Sequence, residues 1–217
     1  MTPPSKAPRA QPQLIPAPQG NLEGLLEWPA DLEPIGAALV CHPHPLYGGT
    51  MHNKVAHTLA RTFVRAGFVA LRFNFRGVGN SDGAYDEGEG ECDDAVAAWE
   101  WLSAQGVQGP HWLSGFSFGA AIAIRAALQV EASGLVSVAP AVARFATGLE
   151  DQPRCPWLVV QGDEDELVAV DDTVEWLDGL EPGPELQIIE GAEHFFHGRL
   201  VDLREVVANF VAEASAQ

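Results

Sequence analysis

The chain has 217 residues, 47% of them apolar and 19% charged, which is enough for one packed domain and unlike a disordered sequence. Its net charge of −18, from 30 acidic against 12 basic side chains, argues against nucleic acid or an anionic membrane surface as the main partner. No apolar run reaches the roughly 18 residues needed to span a bilayer, so no membrane partner is expected either.

Residues 1–19 are crowded with Pro, Gln and Ala and lack the apolar core of a signal peptide, so the cytoplasm is the expected location. Residues 1–12 read as a loose tail and residues 13–217 as a single domain. An antiparallel start around Leu14–Ile15 and Leu22–Trp28 precedes a buried strand over Ile35–Cys41. Asn53–Ala66 carries Val55, Leu59, Phe63 and Val64 on one helical face and stops at Gly67. Val69–Phe73 is the next strand, and Arg76–Gly83 is a glycine-rich loop. A helix starting at Asp93 or Asp94 runs through Ser103. A strand over His111–Leu113 leads to an alanine-rich helix over Gly119–Val130. Strands follow at Leu135–Val138, Trp157–Val160 and Leu186–Ile189, with helices at Asp171–Leu180 and Leu200–Ala214. Strands alternating with helices predict a mostly parallel sheet covered on both faces, a three-layer α/β/α sandwich. The three cysteines, Cys41, Cys92 and Cys155, are scattered and read as small hydrophobes rather than a disulfide framework.

The segment Gly115-Phe116-Ser117-Phe118-Gly119 places G-x-S-x-G between a predicted strand and a predicted helix. A serine hydroxyl is a poor nucleophile unless it is exposed to a base beside an oxyanion site. A sharp strand-to-helix turn provides both, and its glycines remove side chains that would clash there. Ser117 is the candidate nucleophile. The loops after the two later strands carry Gly162-Asp163-Glu164-Asp165 and Gly191-Ala192-Glu193-His194. His194 is the expected base; Asp165 is favoured over Asp163 as the acid because it lies further into its loop. His197 competes with His194 but falls where the last helix is expected to begin, and a structural role is expected for it.

The loop Cys41-His42-Pro43-His44-Pro45-Leu46-Tyr47-Gly48-Gly49 is expected to supply one oxyanion N–H and the backbone of Phe118 the other. Pro43 and Pro45 have no N–H, which leaves His44 first and Leu46 second. A zinc site on His42 and His44 is the rival reading; it lacks further ligands, and no metal or other cofactor is expected.

These motifs, in order, resemble the α/β-hydrolase superfamily over nearly the whole chain after the tail. His42-Pro43-His44-Pro45 with Gly48-Gly49, then Asn53-Lys54, is similar to small bacterial members related to dienelactone hydrolases, and Arg76-Gly77-Val78-Gly79-Asn80-Ser81 is similar to a loop widespread in the superfamily. Dienelactone hydrolases use a cysteine nucleophile, and none of the three cysteines occupies the elbow, so that activity is not expected; haloalkane dehalogenases need an aspartate there, which Ser117 rules out. Many members insert a helical cap between the sixth and seventh strands. Ala139–Pro156, about 18 residues, is too short for one. The resemblance therefore implies a lidless serine hydrolase with Leu46, Tyr47, Phe118, Arg144 and Phe145 as candidate walls, suited to small carboxylic esters or thioesters. Peptidase or acyltransferase chemistry on the same triad, or binding without catalysis, are the alternatives.

Overall fold

The computed structural model describes residues 9–30, 32–146 and 151–216. Eight strands form one sheet: β1 (Arg9–Ala17), β2 (Gly20–Trp28), β3 (Gly36–Cys41), β4 (Phe68–Phe73), β5 (His111–Phe116), β6 (Gly134–Val138), β7 (Trp157–Gly162) and β8 (Glu185–Ile189). Their spatial order is β1-β2-β4-β3-β5-β6-β7-β8; β1–β2 and β2–β4 are antiparallel and every other pair is parallel. The helices are α1 (Lys54–Arg65), α2 (Glu89–Ser103), α3 (Phe118–Ala127), α4 (Val142–Phe145), α5 (Val170–Asp178) and α6 (Leu200–Ala214). A single 3-10 turn covers Pro45–Tyr47.

The strand period divides the core in two. Ala37, Leu39 and Cys41 of β3 face one way and pack with Cys92 and Trp99 of α2, Ile122 of α3 and Leu177 of α5. Ala38 and Val40 face the other way and pack with Val55, Leu59 and Phe63 of α1 and Leu203 and Val207 of α6. Alternate residues of a strand point to opposite faces, so strands apolar throughout require cover on both sides. The chain is a three-layer α/β/α sandwich with no cap domain among the described residues.

Three expectations need correction. The loose tail does not extend to residue 12: Arg9 to Pro12 pair with Leu25 to Trp28 in the edge strand β1, while residues 1–8 lie outside the described residues. Prolines at 12 and 16 do not prevent this, because an edge strand leaves part of its N–H row without a ladder partner. Helix α2 begins at Glu89 rather than at Asp93 or Asp94, and Glu91 takes the Asp86 and Gly88 N–H groups at 2.9 and 2.8 Å. Asp94 lies inside the helix, fully buried, paired with Arg76 at 2.8 Å. Its carboxylate answers a buried guanidinium, so it is a tertiary partner and not a cap. Last, α3 starts one residue early, at Phe118, and ends at Ala127 rather than at residue 130.

The chain leaves β3 for β4 on one side and later returns to place β5 on the other. The carboxyl ends of β3 and β5 thus border a crevice where two connections diverge, the place where open α/β sheets bind ligands.

Candidate active site

The loop after β5 is a tight elbow. Ser117 has φ 56° and ψ −119°, a conformation that costs a non-glycine residue of order 1–3 kcal/mol and lifts the side chain out of the strand line. Its neighbours tolerate no Cβ. One on Gly115 would lie 2.2 Å from the Gly119 oxygen, and one on Gly119 would lie 2.3 Å from the His42 oxygen. The elbow and the loop after β3 therefore touch backbone to backbone.

His194, in the loop after β8, is buried and approaches Ser117: the Ser117 hydroxyl donates to Nε2 at 3.1 Å. On the other side of the ring, Nδ1 lies 2.8 Å from Asp165 Oδ2 and 3.0 Å from Oδ1. An ionised carboxylate only accepts, so Nδ1 carries the proton and Nε2 is free to accept. Asp165 itself is anchored by the Leu167 and Val168 N–H groups on Oδ1 and by the Gln161 amide on Oδ2. Burial pushes its pKa up, but the hydrogen bonds from His194 and from the Val168 and Leu167 N–H groups outweigh it and hold the carboxyl below the usual range. Asp163 is brought elsewhere: its Oδ1 accepts from Gly191 N–H at 2.7 Å. His197 is exposed and pairs with Glu193; α6 starts only at Leu200.

The β3 loop is held by a residue whose role sequence reasoning missed. His42 is fully buried; its Nε2 accepts from the Phe75 N–H at 3.1 Å and its Nδ1–H donates to the Pro43 carbonyl at 2.6 Å. Burial lowers its pKa to about 4, although the bond to Pro43 opposes the shift, so the ring is neutral at pH 7. The Pro43 carbonyl and the His44 N–H share one peptide plane, so fixing the first fixes the second. Both ring nitrogens are engaged, which removes His42 from any zinc site on this loop.

Among the described residues, the N–H groups of His44 and Phe118 donate to no protein acceptor. The Leu46 N–H does, to His44 Nδ1 at 3.2 Å, so it is not a free donor. The His44 ring then holds its proton on Nε2, which donates to the Tyr85 hydroxyl at 3.1 Å. Tyr47, Phe118, Arg144, Phe145, Leu167 and Phe195 line a cleft of about 590 Å³ that also exposes Ser117 and His194. Leu46 does not line it; its side chain is exposed beside Tyr47. Gln161 was also missed. A buried glutamine at the end of an otherwise apolar strand, directly before Gly162, was the available signal.

Residues 34–150, just over half of the chain, match the family described as serine aminopeptidase, S33. A protein of Rickettsia prowazekii, RP471, is 34% identical over 205 residues, spanning 89% of this chain and 85% of its own. The structure of XC6422 from Xanthomonas campestris, an α/β serine hydrolase without a lid, superposes with a TM-score of 0.90 at 39% identity over 97% of both chains. An α/β serine hydrolase homologue from Coxiella burnetii superposes at 0.86 with 43% identity, covering 92% of this chain and 96% of that one. A sheet-end crevice, a strained serine at a glycine elbow and a matched sequence profile agree: the chain belongs to the α/β-hydrolase family, with no lid among the described residues.

Proposed function

We propose that the protein is a serine hydrolase of small carboxylic esters or thioesters, with Ser117, His194 and Asp165 as its triad. The observation that supports this most is the unbroken hydrogen-bond series from the Ser117 hydroxyl through His194 to Asp165, at the floor of an open cleft. His194 Nε2 takes the hydroxyl proton as Ser117 Oγ bonds to the substrate carbonyl carbon. The carbonyl electron pair moves to oxygen, where the Phe118 and His44 N–H groups receive it at the first turn of α3. Collapse expels the alcohol or thiol, which leaves with the proton from His194, and an acyl-serine remains. Water then repeats the sequence, losing its proton to His194 and releasing the acid and the free serine. Tyr47 and Phe145 form apolar walls. A cleft of this volume encloses a small substrate, and with no lid among the described residues it gives little cover to a long acyl chain. The three cysteines, all free, support a reducing cytoplasmic setting.

The test is labelling with a fluorophosphonate, together with turnover of short p-nitrophenyl esters. Native protein is expected to label at Ser117 and to hydrolyse the esters, and Ser117→Ala to do neither. Turnover retained in that variant would remove Ser117 from the mechanism. The family's description supports amide hydrolysis as the second reading, and comparing anilide with ester turnover separates the two.

A further inference from the structure

Most of the strongly held cations serve carboxylates. Arg72 bonds Glu27, Arg76 bonds Asp94, and Arg125 bonds Glu89, each at 2.8 Å. The two cations beside the cleft do not: among the described residues, neither Arg144 nor Lys54 has a carboxylate partner. Each lies instead over an aromatic ring of the cleft wall. The Arg144 guanidinium is 5.1 Å from the centroid of Phe145, and the Lys54 ammonium is 5.9 Å from that of Phe195. Phe145 packs against the core on the α2–α3 face, and Phe195 against the core on the α1–α6 face. Among the described residues, the cleft therefore has a cation without a carboxylate partner on each of its two sides.

We propose that the cleft selects esters or thioesters bearing a negative charge on the part remote from the scissile carbonyl, with Arg144 as its first partner and Lys54 as its second. This rests on the hydrolase reading of Ser117. Stacking on Phe145 orients the guanidinium while leaving N–H groups along its edge free for a carboxylate or phosphate. The helix that carries Arg144 has only four residues, so its dipole gives little reason for a cation there. The net charge of −18 does not decide the matter, because carboxylates more than about 8 Å away are largely screened at physiological salt. Asp172, also in the cleft wall, sits in the first turn of α5, where helix amide ends offset its charge.

The experiment compares matched pairs of substrates. One pair is p-nitrophenyl hydrogen glutarate and its methyl ester, which places the charge on the acyl side. The other is a coenzyme A thioester and the same acyl group on N-acetylcysteamine, which places it on the leaving group. The wild type is expected to prefer the anionic member in at least one pair by about tenfold in kcat/KM, mostly through KM, the order of one charge-assisted hydrogen bond. The ratio shrinks as KCl is raised, falls several-fold in Arg144→Gln and to about 1 when Lys54→Gln is added, is partly kept in Arg144→Lys, and is unchanged in Arg154→Gln, a cation lining a different groove. A wild-type ratio of 1 or below in both pairs, or a ratio that Arg144→Gln leaves at its wild-type value, overturns the proposal. Absence of turnover on all four substrates together with absence of fluorophosphonate labelling refutes the hydrolase reading instead.

Discussion

Acidification tests the account of the β3 loop through His42. A histidine that takes a proton near pH 6.5 in the unfolded chain, but only near 4 when buried, binds fewer protons folded than unfolded throughout that window. Stability therefore falls as the pH drops below about 6.5 and stops falling, for this group, below about 4. The full gap is about 3 kcal/mol, and about 2 kcal/mol of it is lost between pH 7 and pH 5. Other groups titrate over the same range, so the assay is a double difference: urea unfolding of the wild type and of His42→Gln, each at pH 7 and pH 5. The variant is expected to be less stable at pH 7, since the Phe75 N–H and the Pro43 carbonyl lose a well-placed partner, yet to lose about 2 kcal/mol less on acidification. Equal acid sensitivity in the two proteins would show that His42 is not buried neutral, and the argument that it fixes the His44 N–H would fall with it.

Three further outcomes follow from the geometry. Asp165→Asn is expected to lower kcat by about 10⁴-fold by favouring the wrong imidazole tautomer, whereas Asp163→Asn, which still accepts from Gly191 N–H, stays within a few-fold; ester turnover of the two purified variants decides this. Gly119→Ala places a methyl 2.3 Å from the His42 oxygen and 2.5 Å from the Cys41 oxygen, so a melting curve should show a loss of about 1–3 kcal/mol or more, with activity falling further because the loop that carries the His44 N–H must move. Arg76→Met leaves Asp94 charged and buried and is expected to cost about 3–5 kcal/mol in urea unfolding, part of it recovered by adding Asp94→Asn.

How much of this was legible in sequence depends on the range of the cause. The strands β3, β4, β6 and β7 could be read because each is apolar at every or nearly every position, and only a sheet covered on both faces makes use of that. Ser117 could be read because its constraint is local: a strand, a sharp turn and a helix lie within a few residues, and the flanking glycines announce the lost Cβ. His194 could be placed after β8 for the same reason. Asp94 misled because helix starts and buried ion pairs draw on the same residue type, and Arg76, 18 residues earlier, lies on a different element. The start of β1 was missed because prolines look like a tail until the strand is known to lie at an edge.

By itself, then, the order of residues determined the layers, the elbow and the serine–histidine pair, since each depends on period or on a contact within one turn of chain. Only the tertiary structure decided that Asp165 rather than Asp163 meets the imidazole, and that Leu46 spends its N–H on His44. It alone showed that His42 braces the loop after β3, and that Arg144 and Lys54 have no carboxylate partner among the described residues beside one cleft. Those facts turn on distances between loops that leave different strands. Such distances are set by how the sheet twists and which strands are neighbours, and no local pattern in the chain encodes them.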